Sequence, residues 1–194
     1  MGITRVAIFA SGSGTNAEEF FKYFKGHKEI AVVAVFSNNP NAYVLARADN
    51  WHVDKVVFNR KELYESNEVL ESLSSLAIDF ICLAGFMWLV PDNILQAYSG
   101  KIINIHPSLL PAHGGKGMYG DRVHQAVLGA GEKESGITIH FVNGQFDEGE
   151  VIFQAKCEVK ESDTAETLAN RIHVLEYAYY PKVAESTILK KAPS

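Results

Sequence analysis

The sequence predicts an α/β fold in a single domain, with a mostly parallel central sheet and antiparallel strands in its C-terminal half. Three observations carry this prediction. Short, nearly continuous apolar runs at residues 6–10, 30–36 and 80–84 have the pattern of strands covered on both faces. Helix-like segments at 16–25, 41–50 and 60–77 follow them, giving repeated strand-helix units joined by right-handed crossovers. Past residue 100 the pattern changes: strands at 101–105, 136–142 and 151–159 follow one another with little helix between the last two. Asn143-Gly144 and Glu148-Gly149 bracket that last connection, so the two strands it joins pair antiparallel.

The remaining elements follow from local chemistry. Asp163 with Glu166 has the spacing of a capping box, and Leu168, Ile172, Leu175 and Tyr179 then recur at helical intervals. Pro181 is expected to kink this last helix. Residues 1–189 read as one catalytic domain, and the tail Lys190-Lys191-Ala192-Pro193-Ser194 as frayed.

Composition narrows the function classes. Apolar residues make up 47% of the 194 and charged residues 21%, which is globular and sufficient for a core without disulfides or metal. A net charge of −5 supplies no positive field for a phosphodiester backbone, so nucleic acid is not an expected partner. Cys82 and Cys157 lie far apart in apolar runs and read as reduced core residues. The N-terminus enters a strand pattern directly, without the apolar core of a signal peptide, and no run reaches the length of a membrane span. A cytoplasmic protein, monomer or homodimer, with no membrane association is the expectation. The seven histidines are scattered and form no metal-ligand spacing, so no metal is expected.

Two stretches carry chemistry. The first is Ser11-Gly12-Ser13-Gly14-Thr15-Asn16, a glycine-rich turn between a strand and a helix, whose backbone N–H groups favour an anion such as phosphate. It fits the loose dinucleotide pattern, but Ser37-Asn38-Asn39 stands where the ribose-binding acid belongs, which argues against NAD. The second is Ile103-Asn104-Ile105-His106-Pro107. Strand alternation puts Asn104 and His106 on one face, and Pro107 ends the strand, leaving His106 at the C-terminal edge where α/β sheets bind ligands. An amide beside an imidazole donates to a developing oxyanion, which suits acyl transfer. Asp147, on a Gly-flanked turn, is the carboxylate available to favour a charged imidazole and to relay protons.

The string Asn104-Ile105-His106-Pro107-Ser108-Leu109-Leu110-Pro111 resembles the signature of formyltransferases that use 10-formyltetrahydrofolate. The Ser11–Asn16 loop, Leu83-Ala84-Gly85-Phe86-Met87, His140-Phe141-Val142 through Asp147, and Glu176 extend the resemblance over nearly the whole chain. It implies a Rossmann-like formyltransferase fold and transfer of formyl from 10-formyltetrahydrofolate, a co-substrate, to the amine of 5'-phosphoribosylglycinamide in purine synthesis. By the same matching, Asn104 and His106 stabilise the oxyanion, and Asp147 raises the pKa of His106 and assists proton movement. Gly14, Thr15 and Asn16 hold the ribose phosphate, and Glu176 binds ribose hydroxyls. Met87, Trp88, Leu89 and Val90 border the pterin with Asn104, and Arg60 contacts the folate.

The chain also departs from the family pattern. Trp88 stands where many members carry Arg, the loop reaches Pro91 one residue early, and the segment from His113 to Arg122 is long, with Tyr119 in place of a frequent His. Within that segment Lys116 and Arg122 read as solvated side chains. Two other functions share parts of the resemblance: a 10-formyltetrahydrofolate hydrolase, which usually carries an N-terminal regulatory domain, and methionyl-tRNA formyltransferase, which carries a C-terminal RNA-binding one. A silent nucleotide-binding module is a third reading, and the joint presence of Asn104, His106 and Asp147 speaks against it.

Overall fold

Strand and helix alternate from Thr4 onward in a computed structural model that describes residues 2–190. The strands are β1 (Thr4–Phe9), β2 (Ile30–Ser37), β3 (Asp54–Val57), β4 (Phe80–Leu83), β5 (Ile102–His106), β6 (Glu134–Phe141) and β7 (Val151–Glu158). The helices are α1 (Thr15–Phe24), α2 (Tyr43–Asn50), α3 (Arg60–Tyr64), α4 (Glu68–Ser75), α5 (Asp92–Ala97), α6 (Asp121–Gly129) and α7 (Ala165–Lys190). They build one seven-stranded sheet in the order β3-β2-β1-β4-β5-β6-β7. The first five strands are parallel, and β6 and β7 are antiparallel to their neighbours. Chain order reverses between β1 and β4, and a ligand crevice forms at such a switch point.

The continuous apolar runs are strands because both faces of the sheet are covered. Val6 and Ile8 enter one core cluster with Phe20, Ile172 and Tyr180, while Ala7 and Phe9 enter another with Phe36, Leu63 and Ile94. Tyr180 is fully buried and donates its hydroxyl hydrogen to the carbonyls of Leu83 (2.8 Å) and Ile103 (3.3 Å), tying α7 beneath β4 and β5. Cys82 lies in the core and Cys157 is half-buried, both free.

Several sequence expectations need correction. The helix over 60–77 is two helices. Asn59 closes a capping box with Glu62 on α3, Ser66 donates to the Glu62 carbonyl at 3.1 Å, and Asn67 starts α4 with Glu68 and Glu71 in its first turn. The capping box of α7 sits one residue later than expected: Thr164 and Thr167 exchange backbone-to-hydroxyl bonds of 2.9 and 3.2 Å. Asp163 instead pairs with both guanidinium nitrogens of Arg171, at 2.8 and 2.9 Å. Helix α7 runs through Pro181 to Lys190, so Lys190 is helical; residues 191–194 lie outside the described residues. Short β3 and α5 escaped the apolar-run criterion because they bury little: α5 buries only Ile94.

Candidate active site

The C-terminal end of β1 delivers the glycine-rich turn. Gly14 is the N-cap of α1 with φ of 72°, and no side chain caps the helix, which leaves its first-turn N–H groups for a ligand. A Cβ on Gly14 would lie 2.4 Å from Val44 Cγ2, so only glycine lets α2 approach this closely. The residues found in place of a ribose-binding acid hold the turn in shape: Ser11 donates to Asn38 Oδ1 at 2.7 Å, and Asn39 donates to the Ser11 carbonyl at 3.3 Å. Ser11 Oγ also accepts from the Met87 N–H at 3.0 Å, joining this turn to the loop after β4.

From β5 come Asn104 and His106, and β6 supplies His140 directly opposite Asn104. Asn104 Nδ2 lies 3.2 Å from His140 Nε2 and donates to Asp147 Oδ1 at 3.4 Å. His140 Nδ1 lies 2.8 Å from the Phe141 carbonyl, which turns Nε2 toward the Asn104 amide and toward Asp147 Oδ1, 3.7 Å away. His106 Nε2 donates to the His113 carbonyl at 2.9 Å, and Nδ1 stands 3.4 Å from Asp147 Oδ2. Asp147 also accepts from the Gly115 N–H at 3.0 Å. Asn104 and His106 thus face one carboxylate at equal, long distances, an opening that a reacting group fits.

Electrostatics refine the roles. Burial pushes the His106 imidazole below its ordinary value, and the opposing pull of Asp147 and the His113 carbonyl does not overcome it. Asp147 acts in the expected direction, raising the His106 value, and desolvation outweighs it. Burial works to raise the Asp147 carboxyl. The rings of His140 and His106 and the Gly115 N–H outweigh it and hold the group ionised below the usual carboxylate range.

On α7, buried Glu176 accepts from Asn16 Nδ2 at 2.9 Å and pairs with His173 Nδ1 at 2.9 Å. Asn16 Oδ1 is buried without a partner. The apolar wall is the loop 84–91: Phe86 packs edge-on against Phe9, Val90 is buried in the core, and Met87 is exposed. The Arg60 guanidinium lies 5.1 Å over the Tyr64 ring and 5.8 Å over Trp88, so the expected folate residues Arg60 and Trp88 form one stack.

Every expected site residue lines a single cleft of about 730 Å³: Gly14, Thr15, Asn16, Arg60, Met87, Trp88, Leu89, Val90, Asn104, His106, Asp147 and Glu176. Lys116 and Tyr119 line it too, while Arg122 stacks 5.1 Å over Tyr119 outside the lining. A family model described as Formyl transferase matches residues 4–184. The chain belongs to the formyl transferase family. It is 41% identical over 190 residues to a phosphoribosylglycinamide formyltransferase of Bacillus subtilis, covering 95% of this chain and 94% of that one. A Haemophilus influenzae phosphoribosylglycinamide formyltransferase is 36% identical over 184 residues, covering 92% and 84%. The crystal structure of the Bacillus halodurans phosphoribosylglycinamide formyltransferase superposes with a TM-score of 0.87 at 38% identity, covering 98% of this chain and 97% of that one. The chain is thus a formyl transferase enzyme with that fold.

In this formyl transferase the sequence reading gave His140 and His173 no role. Both had a signal. His140 shares the period-2 face of β6 with Thr138, opposite the Asn104 and His106 face of β5. His173 lies three residues before Glu176, one helical turn away. Among the described residues no group of three or more His, Cys, Asp or Glu is placed to hold a metal, and no helix is long and apolar enough to cross a membrane.

Proposed function

We propose that the chain transfers the formyl group of 10-formyltetrahydrofolate to the amine of 5'-phosphoribosylglycinamide in de novo purine synthesis. It does so in the cytoplasm, as a monomer or homodimer, without a metal. One observation carries this reading: the glycine-rich turn, Glu176, the Asn104, His106 and Asp147 group and the apolar 84–91 loop all line one cleft. The names of the relatives support it.

The formyl donor is a substrate consumed at each turnover, and the chain fits it. The apolar wall of the 84–91 loop suits a flat ring, with the Arg60–Tyr64–Trp88 stack at one edge. The first-turn N–H groups of α1 hold the phosphate of the amine substrate, with His173 close by as a counter-charge, and Glu176 accepts from ribose hydroxyls. As the amine nitrogen bonds to the formyl carbon, neutral His106 takes its proton at Nδ1. The charged imidazole and the Asn104 amide then donate to the oxyanion, a contribution of about 3 kcal/mol per donor. Asp147 stabilises the imidazolium until the proton passes to the departing folate nitrogen as the second carbon–nitrogen bond breaks. The amine loses one proton and the leaving nitrogen gains one.

The test is an assay of the purified enzyme with 5'-phosphoribosylglycinamide or water as formyl acceptor. Transfer that depends on the amine is the expected result. Formate release indifferent to the amine would instead make it a hydrolase.

A further inference from the structure

The glycine-rich segment after Pro111 grips both His106 and Asp147 through its backbone. The His113 carbonyl accepts from His106 Nε2, and two residues later the Gly115 N–H donates to Asp147 Oδ2. Gly114 between them has no room to spare: a Cβ there would lie 2.5 Å from Leu110 Cδ2 and 3.3 Å from Asp147 Cβ. A carbonyl only accepts, so while this contact holds, the neutral His106 ring carries its proton on Nε2 and presents a bare Nδ1 toward Asp147. Without it, Asp147 would draw the proton to Nδ1, the tautomer that cannot take a proton from the amine.

The segment is also held by side chains. On the upstream side Ser108 donates to the Ala112 carbonyl at 2.7 Å, and the Leu110 N–H donates to buried Thr138 at 2.9 Å. At His113 itself the side-chain anchor is a hydrogen bond, with the imidazole Nε2 3.3 Å from Glu132 Oε1 in the connection between α6 and β6. His113 has a side chain 17% exposed, Glu132 one 45% exposed.

We infer that His113 is a positioning residue for formyl transfer: paired with Glu132, it holds the 113–115 backbone where that backbone sets the tautomer of His106 and the orientation of Asp147. The inference rests on the proposed function, in which His106 Nδ1 is the proton acceptor. It predicts a residue that touches neither substrate and yet acts on kcat alone.

The experiment compares wild type, His113→Ala, Glu132→Gln and the charge swap His113→Glu with Glu132→Lys, each checked for an unchanged melting temperature. In the single variants kcat falls about fivefold, the scale of one partly exposed side-chain hydrogen bond, and KM for both substrates stays within about twofold. The charge swap restores kcat. Nitrogen-15 NMR of the His106 ring at neutral pH shows one tautomer, protonated on Nε2, in wild type and the swap, and a mixture in the single variants. Should His113→Ala fail to fold, Glu132→Gln gives the same reading from the surface side of the pair. Unchanged kcat, a KM effect without a kcat effect, or a single unaltered tautomer in the variants each overturns the inference. Absence of formyl transfer in wild type overturns the proposed function instead, while the tautomer measurement still reports on the loop.

Discussion

Replacing Asp147 by Asn keeps the shape of the side chain and removes its charge, so it isolates what the carboxylate does. The charge sits 3.4 Å from His106 Nδ1. At an effective dielectric of about 20, unit charges at that distance attract by about 5 kcal/mol. Only the part gained on the way to the transition state accelerates the reaction. Burial favours neutral His106, so in the proposed mechanism the ion pair develops during proton transfer and lowers the barrier. The cleft is open to water, and realising half the attraction gives about 2.5 kcal/mol. A poorer acceptor for the Gly115 N–H adds about 1 kcal/mol. The first alone lowers kcat about seventyfold, and the two together about four-hundredfold. KM for both substrates should change little, because the carboxylate faces the reacting centre rather than the phosphate turn or the apolar wall. Initial rates of transfer to 5'-phosphoribosylglycinamide, at saturating formyl donor and over a range of amine, separate the two constants. An Asp147→Asn enzyme with unaltered melting temperature and more than about a tenth of wild-type kcat would refute the role.

Other residues give independent checks. Gly14→Ala places a Cβ against Val44 at a left-handed position, costing about 3 kcal/mol and lowering the melting temperature by roughly 6–12 °C in thermal unfolding. Glu176 holds the His173 imidazole above its ordinary value, so KM for the phosphate-bearing amine should climb as pH rises through that raised value. In His173→Gln, KM at pH about 6.5 should be about fivefold higher and the climb absent; a pH profile like the wild type's would count against the counter-charge role. His124 is buried with Nδ1 unpartnered, and burial holds its imidazole below the ordinary value. The unfolded chain then takes up the proton first, so stability is full above pH about 6.5 and lost as pH falls below it; His124→Phe should flatten the drop in melting temperature between pH about 7 and 5.

How much of this was legible in the sequence depended on the range of the forces involved. The long parallel strands declare themselves, because burial on both faces demands unbroken apolar runs. Asn104 and His106 were readable as a pair because alternation in a strand is local, and Pro107 marks its end. Asp147 was readable as a carboxylate on a turn, but not its geometry. Its ionisation rests on the Gly115 N–H and on His140, from two other parts of the chain. Desolvation of His106 was equally out of reach, since it reflects the whole cleft and outweighs the pull of Asp147. The break at Ser66 and Asn67 was missed because one amphipathic stripe runs through both short helices, and only the cap bonds separate them. Helix α6 was passed over for a related reason: one of the three residues it buries is His124, which breaks the apolar pattern.

The same residues that specify the core also specify the catalytic face. β5 pairs with β6 so that Asn104 stands opposite His140 and His106 opposite Thr138, while Ile103 and Ile105 share the reverse face with Ile137 and Ile139. Those four isoleucines pack into the cluster that contains α7, and burying each is worth on the order of 2 kcal/mol. A slip of one residue would turn them outward and drive an amide and an imidazole into that core, so the pairing is selected by several kcal/mol. Once the register is set, Asn104 Nδ2 and His106 Nδ1 project on the side where residues after Val142 fold back, and Asp147 meets both at 3.4 Å. A substitution such as Ile103→Thr, which lies in that core cluster and outside the cleft lining, should therefore lower kcat as well as stability, because loosening the apolar face loosens the donors fixed on its reverse. Restoring the melting temperature with a ligand or osmolyte should leave part of the kcat loss in place; full recovery would mean that stability alone had been affected.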